Sequence, residues 1–169
     1  MKLCGQAAGT VTPVAGALRP VPARADSDLL ILLIDDDPDC RQMVRDALEI
    51  AGIKNPVREV SSGAAAIEYM EGGGGAAGPL RPGLIYLDME MPGLDGLATL
   101  GQLRQRPELS DVPIVVLSGA SDDRYKRAAL RLGANSFTSK ANDPTLFRET
   151  IRATTHYWTQ VHQHPAQAS

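Results

Sequence analysis

Residues 29–38 read Leu-Leu-Ile-Leu-Leu-Ile-Asp-Asp-Asp-Pro, an apolar run that ends abruptly in three acids and a proline. An unbroken run of this length is typical of a parallel strand that other elements cover on both faces. Asp37 and Pro38 suit the N-cap and the first position of a helix. The stretch therefore predicts a strand, a tight turn and the start of a helix.

The residues after Pro38 have the period of a helix with one buried face, and Gly52 marks its end. Apolar or small residues recur at the required spacing: Cys40, Met43, Val44, Ala47, Leu48 and Ala51.

The same alternation of strand and helix repeats four more times. We predict strands over 57–60, 84–87, 114–117 and 136–139, and a flexible glycine-rich loop over 72–83. The matching helices are predicted over 62–70, 94–105, 122–132 and 143–161. The last of them carries an apolar face formed by Phe147, Ile151, Trp158 and Val161. This alternation predicts an α/β fold with a parallel sheet and helices on both of its faces.

Composition limits the classes of protein to consider. The chain has 169 residues, of which 43% are hydrophobic and 22% charged, as expected for one globular domain rather than a disordered chain. A net charge of −3 gives no electrostatic reason to expect nucleic acid or a membrane surface as a partner. We therefore expect a cytoplasmic protein, with Cys4 and Cys40 as free thiols.

The domain itself is predicted to occupy residues 29–161. Residues 1–28 are rich in Ala, Gly, Pro and Val without a sustained period, which predicts a flexible N-terminal extension. Residues 162–169 are predicted to form a short C-terminal tail.

Polar residues follow the predicted strands at the edge where open parallel sheets bind ligands. Strand one ends in residues 35–37, all aspartate, strand three in Asp88, strand four in Ser118 and strand five in Lys140. If the strand order is 2-1-3-4-5, Asp36 and Asp88 lie close together. Carboxylates at such a distance repel each other unless a cation lies between them, and hard oxygen ligands favour Mg²⁺.

These residue types are the parts that phosphoryl transfer needs: a carboxylate nucleophile, a divalent ion, a cation and a hydroxyl donor. Asp88 is the best candidate nucleophile because it is the lone acid at its strand end. Lys140 can pair with Asp88 at rest and with a phosphoryl oxygen afterwards. Ser118 can move toward the phosphoryl group and pull its loop along.

Four separated segments together resemble the receiver domain of two-component response regulators. They are Ile-Leu-Leu-Ile-Asp35-Asp36-Asp37-Pro38, Leu-Ile-Tyr-Leu-Asp88-Met-Glu-Met-Pro92-Gly93-Leu-Asp-Gly96, Ile-Val-Val-Leu-Ser118-Gly119-Ala120 and Gly133-Ala-Asn-Ser-Phe137-Thr-Ser-Lys140. The resemblance implies a flavodoxin-like fold with strand order 2-1-3-4-5 and a phosphoacceptor signalling protein rather than an enzyme. It also implies phosphoryl transfer to Asp88 from a histidine kinase or a histidine phosphotransfer protein, dependent on Mg²⁺.

The resemblance also implies roles for individual residues. Asp36 would bind the metal directly, Asp35 would assist through water, and Asp88 would both bind the metal and accept the phosphoryl group. Glu90 would contribute its backbone carbonyl to the metal. Phe137 stands where the family keeps an aromatic that turns inward when the hydroxyl residue, here Ser118, moves.

Two residues depart from the family's usual pattern. Ala141 follows Lys140 where the family usually has proline in a cis bond, and a cis peptide would cost about 3 kcal/mol for alanine. Glu90 adds a carboxylate beside the pocket, which we expect to hinder an attacking water or to compete for Lys140. We therefore predict that replacing Glu90 changes the lifetime of the phosphoryl group.

We expect the signal to leave through a surface, because only residues 162–169 follow the last predicted helix. Phosphorylation would reshape the face made by helix four, strand five and helix five, and so change homodimerisation or partner binding. Residues 106–113 and the Tyr157-Trp158 pair also resemble single-domain regulators that work with phytochrome-type sensor kinases. For that aromatic pair, packing at the domain edge and dimerisation stay equally open.

Other interpretations remain beside this one. The domain could be a phosphate sink or relay intermediate without an effector, a non-phosphorylated pseudo-receiver that only binds partners, or a weaker candidate, a metal-dependent hydrolase. An EF-hand beginning at Asp35 is disfavoured because Cys40 stands where that loop needs glycine. The basic side of helix four is expected to be a solvated face, and the histidines near the C-terminus are expected to bind nothing.

Overall fold

The computed structural model describes residues 29–73, 80–119, 123–140 and 143–162, and within them strands and helices alternate along the chain. The strands are β1 (Leu30–Ile34), β2 (Val57–Val60), β3 (Pro82–Asp88), β4 (Ile114–Ser118) and β5 (Ser136–Ser139). The helices are α1 (Pro38–Ile50), α2 (Gly63–Glu68), α3 (Gly96–Arg104), α4 (Asp123–Arg131) and α5 (Pro144–His156).

All strand pairs are parallel, and the order across the sheet is β2-β1-β3-β4-β5. The predicted α/β fold with strand order 2-1-3-4-5 is therefore confirmed. Ile34 at the end of β1 pairs with Leu87 of β3, and Asp88 pairs with Leu117 of β4. This register brings the carboxyl ends of β1, β3 and β4 to the same edge of the sheet.

The strands are buried on both faces, which explains their unbroken apolar runs. In β1, Leu32 packs on one side with residues of α2 and α3, and Leu33 packs on the other side with residues of α1 and α5. Each face of the sheet thus has its own hydrophobic core.

The helix starts follow from local capping chemistry. Asp37 accepts a hydrogen bond from the backbone N–H of Asp39 and Pro38 occupies the first helical position, as predicted. Asp143 and Pro144 begin α5 in the same way. Ser62 caps α2, with its Oγ accepting from the N–H of Ala65 at 3.0 Å.

Some predicted boundaries were wrong. Strand β3 begins at Pro82, two residues earlier than predicted, because Pro82 still pairs with Leu30; proline is tolerated at the first position of a strand. Helix α3 begins at Gly96 rather than at residue 94, because Gly93 has a φ of 81° and Asp95 is the N-cap.

The apolar face predicted for the last helix was also partly wrong. Regular α-helix ends at His156, and residues 157–161 form a wider π-helical turn. The wider turn rotates the side chains that follow it, so Thr159 is buried while Val161 is 56% exposed. Trp158 lies half-buried against the core beneath α1 and α5, and Tyr157 is exposed.

Several predictions concern residues that lie outside the described ones. These are the N-terminal extension over 1–28 with Cys4, most of the loop over 72–83, Ala141, His164 and residues 163–169 of the tail. Cys40 is a buried free thiol. Among the helices of the described ranges, none has the length and apolar character needed to cross a membrane.

Candidate functional site

Three aspartates meet at the carboxyl edge of the sheet. One carboxylate oxygen of each aspartate lies within 4.8 Å of one oxygen of each of the other two, and the three residues are Asp35, Asp36 and Asp88. Asp35 is fully buried and Asp88 is 1% exposed, whereas Asp36 is half-buried. The pairing of β1 with β3 brings these side chains together, as the strand order predicted.

Lys140 lies between two of these carboxylates. Its Nζ is 2.9 Å from Asp35 Oδ2 and 3.0 Å from Asp88 Oδ1. Its backbone N–H donates to the carbonyl of Ser118 at 2.8 Å, which holds the residue at the end of β5. Burial alone would lower the pKa of the Lys140 ammonium, but the attraction of Asp35 and then of Asp88 outweighs it, so the pKa is raised. Lys140 is therefore protonated at neutral pH.

The donor set fits a divalent cation. Three carboxylates and one ammonium leave an excess of negative charge in a largely buried site, which a hard divalent ion would neutralise. Burial raises the pKa of the Asp88 carboxyl, an effect that the hydrogen bond and charge of Lys140 only partly offset. A second cation near Asp88 would favour its ionised form.

The turn after Asp88 is held close to the strand end. The N–H of Glu90 donates to Asp88 Oδ1 at 3.2 Å. A Cβ on Gly96 would lie 2.5 Å from the Cα of Met89 and 2.6 Å from the carbonyl oxygen of Asp88. Glycine at position 96 thus allows α3 to begin in contact with the backbone beside Asp88.

Ser118 and Glu90 are bonded to each other in this state. Ser118 Oγ donates to Glu90 Oε1 at 3.1 Å, and Ser118 is almost completely buried at the end of β4. The sequence led us to expect that Glu90 either hinders an attacking water or competes for Lys140. In the structure the Glu90 carboxylate accepts a hydrogen bond from Ser118, and Lys140 forms ion pairs with Asp35 and Asp88. The effect of Glu90 on an attacking water stays a prediction.

Phe137 lies on β5 next to the site. It pairs with Val116 of β4 and is partly buried against the core, and Lys126 Nζ lies 5.5 Å from the centre of its ring. The inward turn of this ring and the metal contact of the Glu90 carbonyl both stay predictions.

Two residues of α1 border the site and were not assigned a role from the sequence. Arg41 Nη1 donates to the carbonyl of Asp35 at 2.6 Å. The Cys40 thiol is buried, and this burial, together with the neighbouring Asp35, raises its pKa to about 12. The sequence feature that pointed to a contact of Arg41 with the site is its position one helical turn after the N-cap residue, Asp37.

The comparison with known families decides the identity of the domain. The family model described as response regulator receiver domain matches residues 31–152. The chain belongs to this receiver family. Receiver domains are signalling phosphoacceptors that histidine kinases or phosphotransfer proteins phosphorylate, and they bind a divalent metal ion at the active site.

Relatives of different length share this domain. The chain is 31% identical over 125 residues to the cyclic di-GMP phosphodiesterase response regulator RpfG of Xanthomonas campestris pv. campestris, covering 74% of this chain and 31% of RpfG. It spans only 25% of DctD, a C4-dicarboxylate transport transcriptional regulatory protein of Pseudomonas aeruginosa. By contrast, its 26% identity to the response regulator Rcp1 of Synechocystis covers 81% of this chain and 93% of Rcp1.

Solved structures agree with this result. The Mn²⁺-bound form of Rcp1 is 25% identical with a TM-score of 0.75, over 82% of this chain and 99% of that one. The phosphorylated cyanobacterial phytochrome response regulator RcpA shares the fold with a TM-score of 0.76 at 24% identity, over 82% of this chain and 99% of RcpA. The flavodoxin-like receiver fold is thereby confirmed.

Proposed function

We propose that this chain is a response regulator that accepts a phosphoryl group on Asp88 in the presence of Mg²⁺. The observation that carries the proposal is the convergence of three aspartates and Lys140 at one sheet edge, with Ser118 at the end of the neighbouring strand. The histidine kinase or phosphotransfer protein that supplies the phosphoryl group would act in the cytoplasm. The receiver unit would be residues 29–161, between an extension over 1–28 and a tail over 162–169.

The transfer itself would be a displacement at phosphorus. Among the described residues, Lys140 and the N–H of Glu90 both contact the Asp88 carboxylate at Oδ1, which supports Oδ2 as the attacking oxygen. The new bond joins that oxygen to phosphorus, the bond from phosphorus to the donor's imidazole nitrogen breaks, and the imidazole takes up a proton. Asp36, Asp88 and the Glu90 carbonyl would hold Mg²⁺, with Asp35 assisting through water, and the ion would supply positive charge to the phosphoryl oxygens. Lys140 would move from its carboxylate partners to one of those oxygens.

The switch would begin at Ser118. Its hydroxyl would leave Glu90 for the phosphoryl group, and Phe137, only partly buried, would turn toward the space beside β4. The face formed by α4, β5 and α5 would then change its homodimer contacts or its binding of a partner. Exposed apolar side chains support that role for this face: Tyr125, Leu130 and Leu146.

The proposal is tested by incubating the full chain with acetyl phosphate and Mg²⁺ and measuring its intact mass. We expect the mass of one added phosphoryl group on the wild type, none on Asp88→Asn, and none after the metal is chelated. A chain lacking residues 1–28 should be modified at the same rate. Failure of the wild type to be modified would leave a pseudo-receiver that only binds partners.

A second measurement distinguishes a regulator from a phosphate sink or relay. The phosphorylated and unphosphorylated chains are compared by light scattering for a change in oligomeric state, and by pull-down for partners. A regulator is expected to gain a dimer or a partner on phosphorylation. A chain that exchanges phosphoryl groups rapidly and reversibly without either change is a relay or sink.

A further inference from the structure

Arg41 connects the turn between β1 and α1 to the edge strand β2. Its Nη1 donates to the carbonyl oxygen of Asp35 at 2.6 Å, and its Nε donates to Glu59 Oε2 at 3.1 Å. Both side chains are largely buried, with exposed fractions of 18% for Arg41 and 26% for Glu59. A planar guanidinium held at two directed bonds has little freedom to reorient, so it can fix the groups that it contacts.

The carbonyl that Arg41 binds belongs to the peptide group between Asp35 and Asp36. Because a peptide group is planar, a hydrogen bond to its oxygen fixes the orientation of the whole plane. The preceding backbone group of Asp35 is also fixed, since its N–H donates to the carbonyl of Val60 at 3.2 Å. Strand β2 therefore holds one backbone group of Asp35 directly and the other through Glu59 and Arg41.

We propose that Arg41 is a positioning residue for the divalent-metal site. It sets the Asp35–Asp36 peptide plane, and through it the directions in which both carboxylates leave the backbone. The inference rests on the proposed function, because it concerns the site that would hold Mg²⁺. Glu59 supplies the anchor against which Arg41 acts.

Arg45 provides a matched control for the charge of Arg41. Its Nη1 lies 3.0 Å from Glu59 Oε1, so both arginines pair with the same carboxylate, but Arg45 is 49% exposed and contacts Gln42 rather than Asp35. Replacing either arginine by glutamine removes one positive charge from the same cluster. Only the replacement of Arg41 removes the hydrogen bond to the Asp35 carbonyl.

The surroundings of Arg41 allow this substitution to be made. Arg41 and Glu59 line an open groove of about 340 Å³ together with Val60, Ser61 and Ala65. A shorter side chain at position 41 therefore opens onto solvent instead of leaving a sealed cavity in the core.

The test measures Mn²⁺ affinity of the full chain by electron paramagnetic resonance of free Mn²⁺. Arg41→Gln is expected to weaken binding by about tenfold, in the range seen when an outer partner of a metal ligand is removed. Arg45→Gln is expected to change it by less than about twofold, as for an exposed ion pair. Arg41→Lys can keep one of the two contacts, so its Mn²⁺ affinity should lie between those of Arg41→Gln and Arg45→Gln.

Two further readouts separate positioning from a general loss of structure. The rate of modification by acetyl phosphate should fall for Arg41→Gln at low metal and recover at saturating metal. In the metal-free protein, the ¹⁵N resonance of the Asp36 amide, which is bonded to the carbonyl that Arg41 contacts, should shift in Arg41→Gln and not in Arg45→Gln.

Equal weakening by Arg41→Gln and Arg45→Gln would overturn the proposal in favour of a charge effect, and unchanged Mn²⁺ affinity in Arg41→Gln would overturn it outright. If Arg41→Gln does not fold, Glu59→Gln is measured instead, and unchanged affinity there overturns the proposal. A wild type that binds no Mn²⁺ refutes the proposed function and this inference together. If the wild type binds Mn²⁺ and Arg41→Gln binds it with the same affinity, this inference is refuted and the proposed function is not.

Discussion

Ser118 donates its hydroxyl hydrogen to the carboxylate of Glu90 across 3.1 Å, and this bond joins the end of β4 to the turn after β3. The hydroxyl that the proposed switch would offer to a phosphoryl group is therefore already bonded to an acid. In the proposed switch, phosphoryl binding would have to replace one charged acceptor of Ser118 by another. Glu90 would thus oppose the switched state, an effect that its position two residues after Asp88 did not reveal.

Replacing Glu90 by alanine is expected to strengthen binding of beryllofluoride, a phosphoryl analogue, in the presence of Mg²⁺. A hydrogen bond to a charged acceptor contributes about 1.5–3 kcal/mol, and the lower end of that range applies here because Glu90 is exposed. Loss of this bond from the resting state should therefore raise the affinity by about tenfold. Isothermal titration calorimetry measures this change, with Glu49→Ala on the exposed side of α1 as control. The phosphoryl lifetime should change as well. Equal affinities and equal dephosphorylation rates in Glu90→Ala and the wild type would contradict the role of the bond.

Replacing Lys140 by alanine is expected to make the fold more dependent on the metal. The Lys140 ammonium pairs with Asp35 and Asp88, the carboxylates whose charge a divalent ion would also offset. Without metal, loss of a buried partner should lower the free energy of unfolding by about 3 kcal/mol. Mg²⁺ should then raise the melting temperature of Lys140→Ala more than that of the wild type.

The control for this comparison is Lys54→Ala, which removes an exposed lysine. Its melting temperature should respond to Mg²⁺ as the wild type does. An equal Mg²⁺ response in Lys140→Ala and the wild type would show that the two cations do not compete for these acids.

Replacing Arg104 by alanine is expected to destabilise the fold without changing Mn²⁺ affinity. The guanidinium donates to the carbonyls of Gly133, Leu109 and Val112 at 2.7–2.9 Å and to Asn135 Oδ1 at 2.7 Å. These bonds join the end of α3 to the loops before β4 and β5. Their loss leaves partly buried carbonyls without this donor, which should lower the free energy of unfolding by about 2–4 kcal/mol.

Urea unfolding followed by circular dichroism measures the effect of Arg104→Ala. Arg131→Ala, an exposed position on α4, should change the free energy of unfolding by less than about 0.5 kcal/mol. A destabilisation of the same small size in both variants would mean that water replaces the Arg104 bonds.

The sequence predicted the fold well where burial determines residue type. Leu32 and Leu33 face opposite cores, so neither position of β1 tolerates a polar residue and the strand is recognisable as a run. The convergence of Asp36, Asp88 and Lys140 was likewise predictable, because parallel strand order alone determines which strand ends are neighbours. Both predictions use backbone topology and need no side-chain detail.

The sequence could not reveal contacts that depend on the rotamers of long side chains. Arg41 donates to a backbone carbonyl and Glu90 accepts from a serine hydroxyl, and carbonyls and hydroxyls occur throughout any chain. The π-helical turn after His156 also depends on how the end of α5 packs, which local propensity does not encode. These differences explain why Val161 was placed on the wrong side of the helix.

Replacing Asp88 by asparagine is expected to stabilise the metal-free chain at neutral pH. Burial raises the pKa of Asp88 above its unfolded value, so between those two pKa values the native state binds more protons than the unfolded state. The wild type therefore loses stability as pH rises from the unfolded pKa through the raised one, and Asp88→Asn does not suffer this loss. Its advantage should be present at pH 7, shrink as pH falls through the raised pKa, and be absent below the ordinary carboxyl pKa of about 4.

Urea unfolding near pH 4 and pH 7, with and without Mg²⁺, tests this expectation against Asp46→Asn, which changes an exposed acid on α1. Mg²⁺ should stabilise the wild type more than Asp88→Asn, because the ion favours the ionised carboxylate that the variant lacks. At pH 7, the difference in free energy of unfolding between Asp88→Asn and the wild type should therefore become smaller or change sign when the metal is added. A metal-free Asp88→Asn that is less stable than the wild type at pH 7 would show that the pairing of Asp88 with Lys140 outweighs the burial of its charge.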